Sequence, residues 1–151
     1  MALRPTRNEH LTDLSFFMDE VAERGIVVVF STAGSGAAMD QAEAKVAKPG
    51  ASGAIGTPVG LLLNDMVNLD LTRQHINFAQ DEMQKGGKCL LLRRGFVVTD
   101  QVSGTPTVGQ AAYLFEHGQI TAEGSDVLTQ VGRFLSTKDN DGYAKVAINI
   151  V

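Results

Sequence analysis

The chain reads as a mainly β protein, a sandwich or barrel of short strands. Three observations predict this. Apolar runs recur at residues 26–30, 59–63, 89–92, 96–98, 111–115, 131–135 and 143–151. Turn clusters separate them: AGSG, KPGASG, KGG, SGTPT, EHG and KDNDG. Glycine supplies 16 of 151 residues, against a usual share of about 7%, as a chain of many tight turns requires. Tryptophan is absent, so aliphatic side chains must build the core. The length suits one domain that buries roughly 70% of its unfolded surface.

Residues 1–11 are polar, include Pro5 and read as an arm. In TDLSFFMDEVAER, residues 12–24, Leu14, Phe17, Met18 and Val21 fall at i, i+3, i+4 and i+7. That stripe predicts a short helix, capped by Thr12, with Asp13 at the positive end of its dipole and Gly25 as its stop. The alternative is an extended arm whose Phe16, Phe17 and Met18 dock on a neighbouring subunit. The domain division is therefore 1–24, an arm or short helix, and 25–151, a single β domain.

The run 26–30 predicts a buried strand that leaves the core through residues 31–36. EAKVAK then alternates charged and apolar residues, as a second, half-exposed strand near 44–48 does. Residues 64–87 form the longest connection. MVNLDL alternates like a strand, and Ile76, Ala79 and Met83 permit a short helix. A connection of this length is usually functional or interface-forming, so contact with the core or with a partner is expected to order it.

Gly95 interrupts two apolar runs in RRGFVV and marks a bulge or bend. Pro106 fixes one turn dihedral and Gly109 frees another, which delivers the chain into a strand at Ala111. The close, VGRFLSTKDNDGYAKVAINIV, predicts two strands joined by KDNDG. Ala144, Val146, Ile148 and Ile150 share one face of the second strand, and Lys145, Ala147 and Asn149 take the other. Gly142 supplies the positive φ that the connection needs.

The motifs of chemistry fail one by one. Gly34 and Gly36 follow an apolar strand as in a dinucleotide site, but Met39 stands where the third glycine belongs. No acid near Gly56 is placed to hold a ribose, and no Gly-Lys-Ser/Thr completes a P-loop. In TKDNDG, an EF-hand alignment on Gly142 puts Thr137 at position 1 and Ile148 at position 12, so both end ligands are lost. An acidic hairpin turn explains the segment better. His10, His75 and His117 are isolated, without metal-ligand spacing. Cys89, the only cysteine, reads as a small buried residue of a strand. No catalytic residue, metal or cofactor is expected, and a binding or structural role is favoured over an enzyme.

Basic residues number 13 and acidic ones 17, for a net charge of −4. The densest basic group, Lys85, Lys88, Arg93 and Arg94, alternates with apolar residues instead of forming the basic face that nucleic acid requires. Apolar runs of about five residues fall far short of the roughly 20 of a membrane helix. The N-terminus has no signal-peptide core, so synthesis in a cytosolic compartment is expected.

The order of segments carries one more signal. A VG-led apolar strand precedes a strand pair of the form GG-K-apolar-R-x-G-φ-V-x-T, where φ is apolar. A turn and strand, G-T-P-x-x-G-x-x-A-Y-L, come next, and a hairpin, VG-x-F-x-S-x-x-D-x-D-G-Y-A-K-V, ends the chain. Over residues 50–151 this resembles the head decoration, or capsid cement, proteins of tailed bacteriophages. The resemblance implies a small β-barrel or β-tulip-like domain on the capsid surface of the virion. It also implies a homotrimer and a major capsid protein as partner. The alternatives are another virion component, of neck or tail, or a small nucleotide-binding domain using the loop of Gly34 and Gly36. On the cement reading, the arm and residues 64–87 supply contacts through Phe16, Phe17, Met18, Arg73, His75, Ile76 and Phe78.

Overall fold

A computed structural model describes residues 3–32, 44–51, 55–63, 82–83, 85–125 and 128–150. In chain order the strands are β1 (Asn8–Asp13), β2 (Phe17–Met18), β3 (Ala22–Glu23), β4 (Val27–Thr32), β5 (Lys45–Ala47), β6 (Pro58–Leu62) and β7 (Glu82–Met83). They continue as β8 (Leu91–Thr99), β9 (Val102–Ser103), β10 (Ala111–Leu114), β11 (Ile120–Thr121), β12 (Gln130–Phe134) and β13 (Ala144–Asn149). One large sheet runs β2-β5-β4-β6-β8-β13-β12-β10-β11-β9, with β1 added on β8, and β3 pairs with β7. The fold is mainly β, of the small-barrel class that the turn spacing predicts.

The continuous apolar runs have a physical cause. β4 places Val27 and Val29 in the main core and Val28, with Ile26 before it, in a second cluster on the opposite face. Likewise Leu61 and Leu92 enter the main core, while Leu62 and Leu91 enter the second. Strands buried on both faces carry no polar alternation. β13 is buried on one side only: Ala144, Val146 and Ile148 point into the main core, and Asn149 is exposed. Its alternating sequence follows.

The main core also takes Ala112, Leu114, Ile120, Val131 and the fully buried Phe134 from the far end of the sheet. The sheet therefore curls until its distant strands share one interior. Gly118 marks that approach. Its φ is +85°, and a Cβ there would lie 2.7 Å from Val27 O.

The N-terminal residues correct the expected helix. Residues 8–13 form β1, and the apolar stripe falls into separate extended segments. Met18 is 1% exposed, but Leu14 and Val21 are 54% and 43% exposed, so the four residues share no buried face. Backbone pairing outcompetes helix formation here. Phe17 and Met18 N–H donate to Ala44 O and Gly87 O, and Cys89 N–H donates to Phe16 O.

Gly95 lies within one nine-residue strand, β8, and does not divide two. The expected bulge lies beside it, in the β1–β8 register: Glu9 pairs with Gly95 and Leu11 with Arg94, so β1 carries the extra residue, and a second shift follows between Leu11 and Thr12. β5 returns antiparallel to β4, whereas a nucleotide-binding βαβ unit joins parallel strands. Gly34, Gly36 and Met39 lie outside the described residues. So do residues 64–81 of the long connection, while Met83 lies in β7.

Candidate functional site

The arm is built into the sheet by backbone pairing. Leu3 bridges Thr99, Arg4 N–H donates to Val98 O at 3.0 Å, and β1 then runs antiparallel to β8 down to Leu91. Leu3 is 2% exposed and belongs to the main core. Every residue of β1 up to Thr12 is exposed. The arm is thus anchored at its two ends and presents its middle outward.

Two side-chain clasps fix those ends. Arg4 sits 2.9 Å from Asp141 and 3.3 Å from Asp139, with its guanidinium 4.3 Å from the centre of the Tyr143 ring. These residues form the β12–β13 turn, where Asp139 Oδ1 accepts from the N–H groups of Asp141 and Tyr143. The carboxylates of KDNDG therefore serve the turn and the arm. Exposed pairs of this kind are worth about 1 kcal/mol or less each, so the clasp orients more than it stabilises.

At the other end, Arg93 lies 3.4 Å from Asp13 and donates to Ile150 O at 3.3 Å. The Ser15 hydroxyl and N–H both donate to Asp13 Oδ1. Burial acts to raise the Asp13 carboxyl, but the Ser15 bonds and Arg93 outweigh it and hold the group below its ordinary 3.8. A depressed carboxyl contributes stability above its unfolded value and loses it as the pH falls through the folded one. Amide protection around residues 11–15 is therefore expected to decline as the pH drops from 3.8 downward. Asp13→Asn should flatten that decline. An equal pH slope in the variant, measured by hydrogen exchange, would show that Asp13 is not its source.

Beyond the clasp, apolar side chains stand in solvent. Leu14 is 54% and Phe30 49% exposed, and Phe30 meets half-buried Phe16 edge-on at a centroid distance of 5.8 Å. Phe17 is half-buried under Lys88, whose Nζ is 6.0 Å from the ring centre. A shallow depression of about 300 Å³ beside it is lined by Phe17, Met18, Asp19, Lys45, Lys85 and Gly86.

Of the residues expected to contact a partner, Phe16 and Phe17 reach this surface, and Met18 is buried in the second cluster. Arg73, His75, Ile76 and Phe78 lie outside the described residues. Among the described residues no group of three His, Cys, Asp or Glu is placed to hold a metal. Nor is any described helix long and apolar enough to cross a membrane. Cys89 is fully buried, and burial pushes its thiol up to about 12, the opposite of an activated nucleophile.

A family model described as structural cement protein (E217 gp24/Pam3 gp6) matches residues 7–149. The chain belongs to this family of phage cement proteins. No individual curated protein matches it. The family assigns the cement protein a structural role in stabilising a phage capsid, which is non-enzymatic in kind. The match begins just before β1 and ends with β13, so the arm is part of the matched unit.

Leu14, Val21 and Phe30 are exposed apolar residues of the cement protein that sequence reasoning did not single out as contacts. Leu14 and Val21 were hidden by their place in an apparent helical stripe. Phe30 was hidden because it ends an otherwise buried run.

Proposed function

We propose that this protein binds the outside of the expanded capsid lattice and cements neighbouring major capsid proteins. The observation that carries the reading is the family match from residue 7 to residue 149, which takes in the arm with its outward apolar side chains. Cementing needs binding energy alone. A ligand that binds only the expanded lattice stabilises it by mass action, about 2.7 kcal/mol per site at a free concentration of 100 Kd. The arm residues Leu14, Phe16, Phe17 and Val21, with Phe30 of β4 against Phe16, serve as contact, and the protein acts as a homotrimer, as its resemblance to decoration proteins implies.

Point substitutions test this better than removal of the arm, because Leu3, Met18 and Ala22 belong to the core. Leu14→Asp/Phe30→Asp is expected to keep the wild-type melting temperature and to bind expanded heads at least about tenfold more weakly. Wild-type protein should not bind unexpanded heads. Undiminished binding by the variant would remove the arm from the contact.

A further inference from the structure

The centre of the sheet carries a charge pattern opposite to that of the whole chain. β8, β12 and β13 contain Arg93, Arg94, Arg133 and Lys145 and no Asp or Glu, in a chain with 17 acids and 13 bases. Arg93 turns to Asp13 and Ile150 O. The other three share the outward face. Ladder pairs Arg133↔Ala147↔Phe96 and Asn149↔Arg94 set them side by side. Arg94 Nε donates to Asn149 Oδ1 at 3.4 Å, and Lys145 Nζ lies 4.1 Å above the centre of the Phe96 ring.

Beside Arg133 is a depression of about 410 Å³, lined also by Gln130, Gly132, Ala147 and Asn149. Among the described residues none of Arg94, Arg133 and Lys145 is in an ion pair. Leu11, 44% exposed, pairs with Arg94 across the β1–β8 ladder and joins this face to the arm.

We propose that this outward face of β8, β13 and β12 is a docking surface for carboxylates on the capsid subunits. The inference rests on the cement reading and names the chemistry of the contact. Three cations that form no ion pair among the described residues are complementary to an acidic protein surface, and the guanidinium of Arg133 fits a carboxylate with two parallel hydrogen bonds. Gln130 and Asn149 add amide groups that both donate and accept. A nucleic acid fits less well. Its cations are only three, and a net charge of −4 repels a phosphate chain at long range.

The test compares Arg94→Glu/Arg133→Glu with a control of equal net charge, Lys48→Glu/Lys138→Glu, for binding to purified expanded heads. The wild type and the control should bind alike, and the face variant at least about tenfold more weakly. Wild-type binding should also weaken with added salt. Where the reversal impairs folding, Arg94→Gln/Arg133→Gln replaces it, with a smaller loss in the same direction. Wild-type strength in the face variant overturns the docking surface and leaves the cement reading standing. A wild type that ignores expanded heads overturns both. Equal losses in face variant and control reduce the effect to net charge and overturn the site. Binding of the wild type to a duplex DNA probe, lost in the face variant, overturns the choice of partner.

Discussion

Gly132→Ala is expected to abolish folding. Gly132 sits in β12 opposite Ile148 of β13, and a Cβ there would overlap Ala147 O, 2.9 Å from the carbonyl carbon and 3.2 Å from Ile148 Cα. The obstacle is backbone, so no rotamer relieves it. β12 is held by β10 on its other side and β13 by β8, so neither strand can step away. The cost is expected to exceed about 4 kcal/mol, against a total stability of about 5–15 kcal/mol for a domain. Expression should yield insoluble protein, or soluble protein without a cooperative melt. A soluble variant melting within about 5 °C of wild type would mean that the two strands can separate after all.

Gly95→Ala is expected to release the arm and spare the barrel. Gly95 has φ +147°, which costs a residue with a side chain about 1–3 kcal/mol, and its Cβ would overlap Asn8 O. Here the obstacle belongs to β1, which the described residues pair with β8 alone. The arm can therefore leave. Arg4 then gives up Asp139, Asp141 and the Tyr143 ring, and trypsin gains access at Arg4 and Arg7. The expected result is rapid cleavage there, amide exchange of residues 3–13 faster by at least about a hundredfold, and a retained melt of the remaining domain. Cleavage no faster than in wild type would show that β8 absorbs the overlap itself.

Much of this architecture was legible in the sequence, and the legible parts have a common reason. Runs such as Ile26 to Val29 and Leu61 to Leu63 declare strands because burial on two faces removes polar residues from them. The alternation of β13 and the Asp139–Gly142 turn declare a hairpin because their partners are close in sequence. The arm misled for the opposite reason. Its spacing of Leu14, Phe17, Met18 and Val21 matches a helix, but its partners are Lys45, Gly87 and Leu91, which no local pattern announces.

The basic face was illegible for the same cause. The densest basic stretch in the sequence is divided by the fold, with Arg93 tied to Asp13 and Arg94 facing outward. Arg133 and Lys145 join Arg94 only through the ladder of β8, β13 and β12. Phe16 and Phe17, proposed as contacts, were visible in the sequence as aromatics. The exposure of Phe30 depended on its place in β4 past the buried run that ends at Val29.

The position of β8 also sets a timetable. It pairs with β1 from one end of the chain, with β6, and with β13 from the other end. On the ribosome the arm must wait until residues 91–99 emerge, and β8 stays incomplete until residues 144–149 follow. Pairings between remote segments form slowly and leave unsatisfied strand edges exposed in the meantime. The sheet around β8 therefore closes only after residues 144–149 have left the ribosome, well after β1 and β6 have been made.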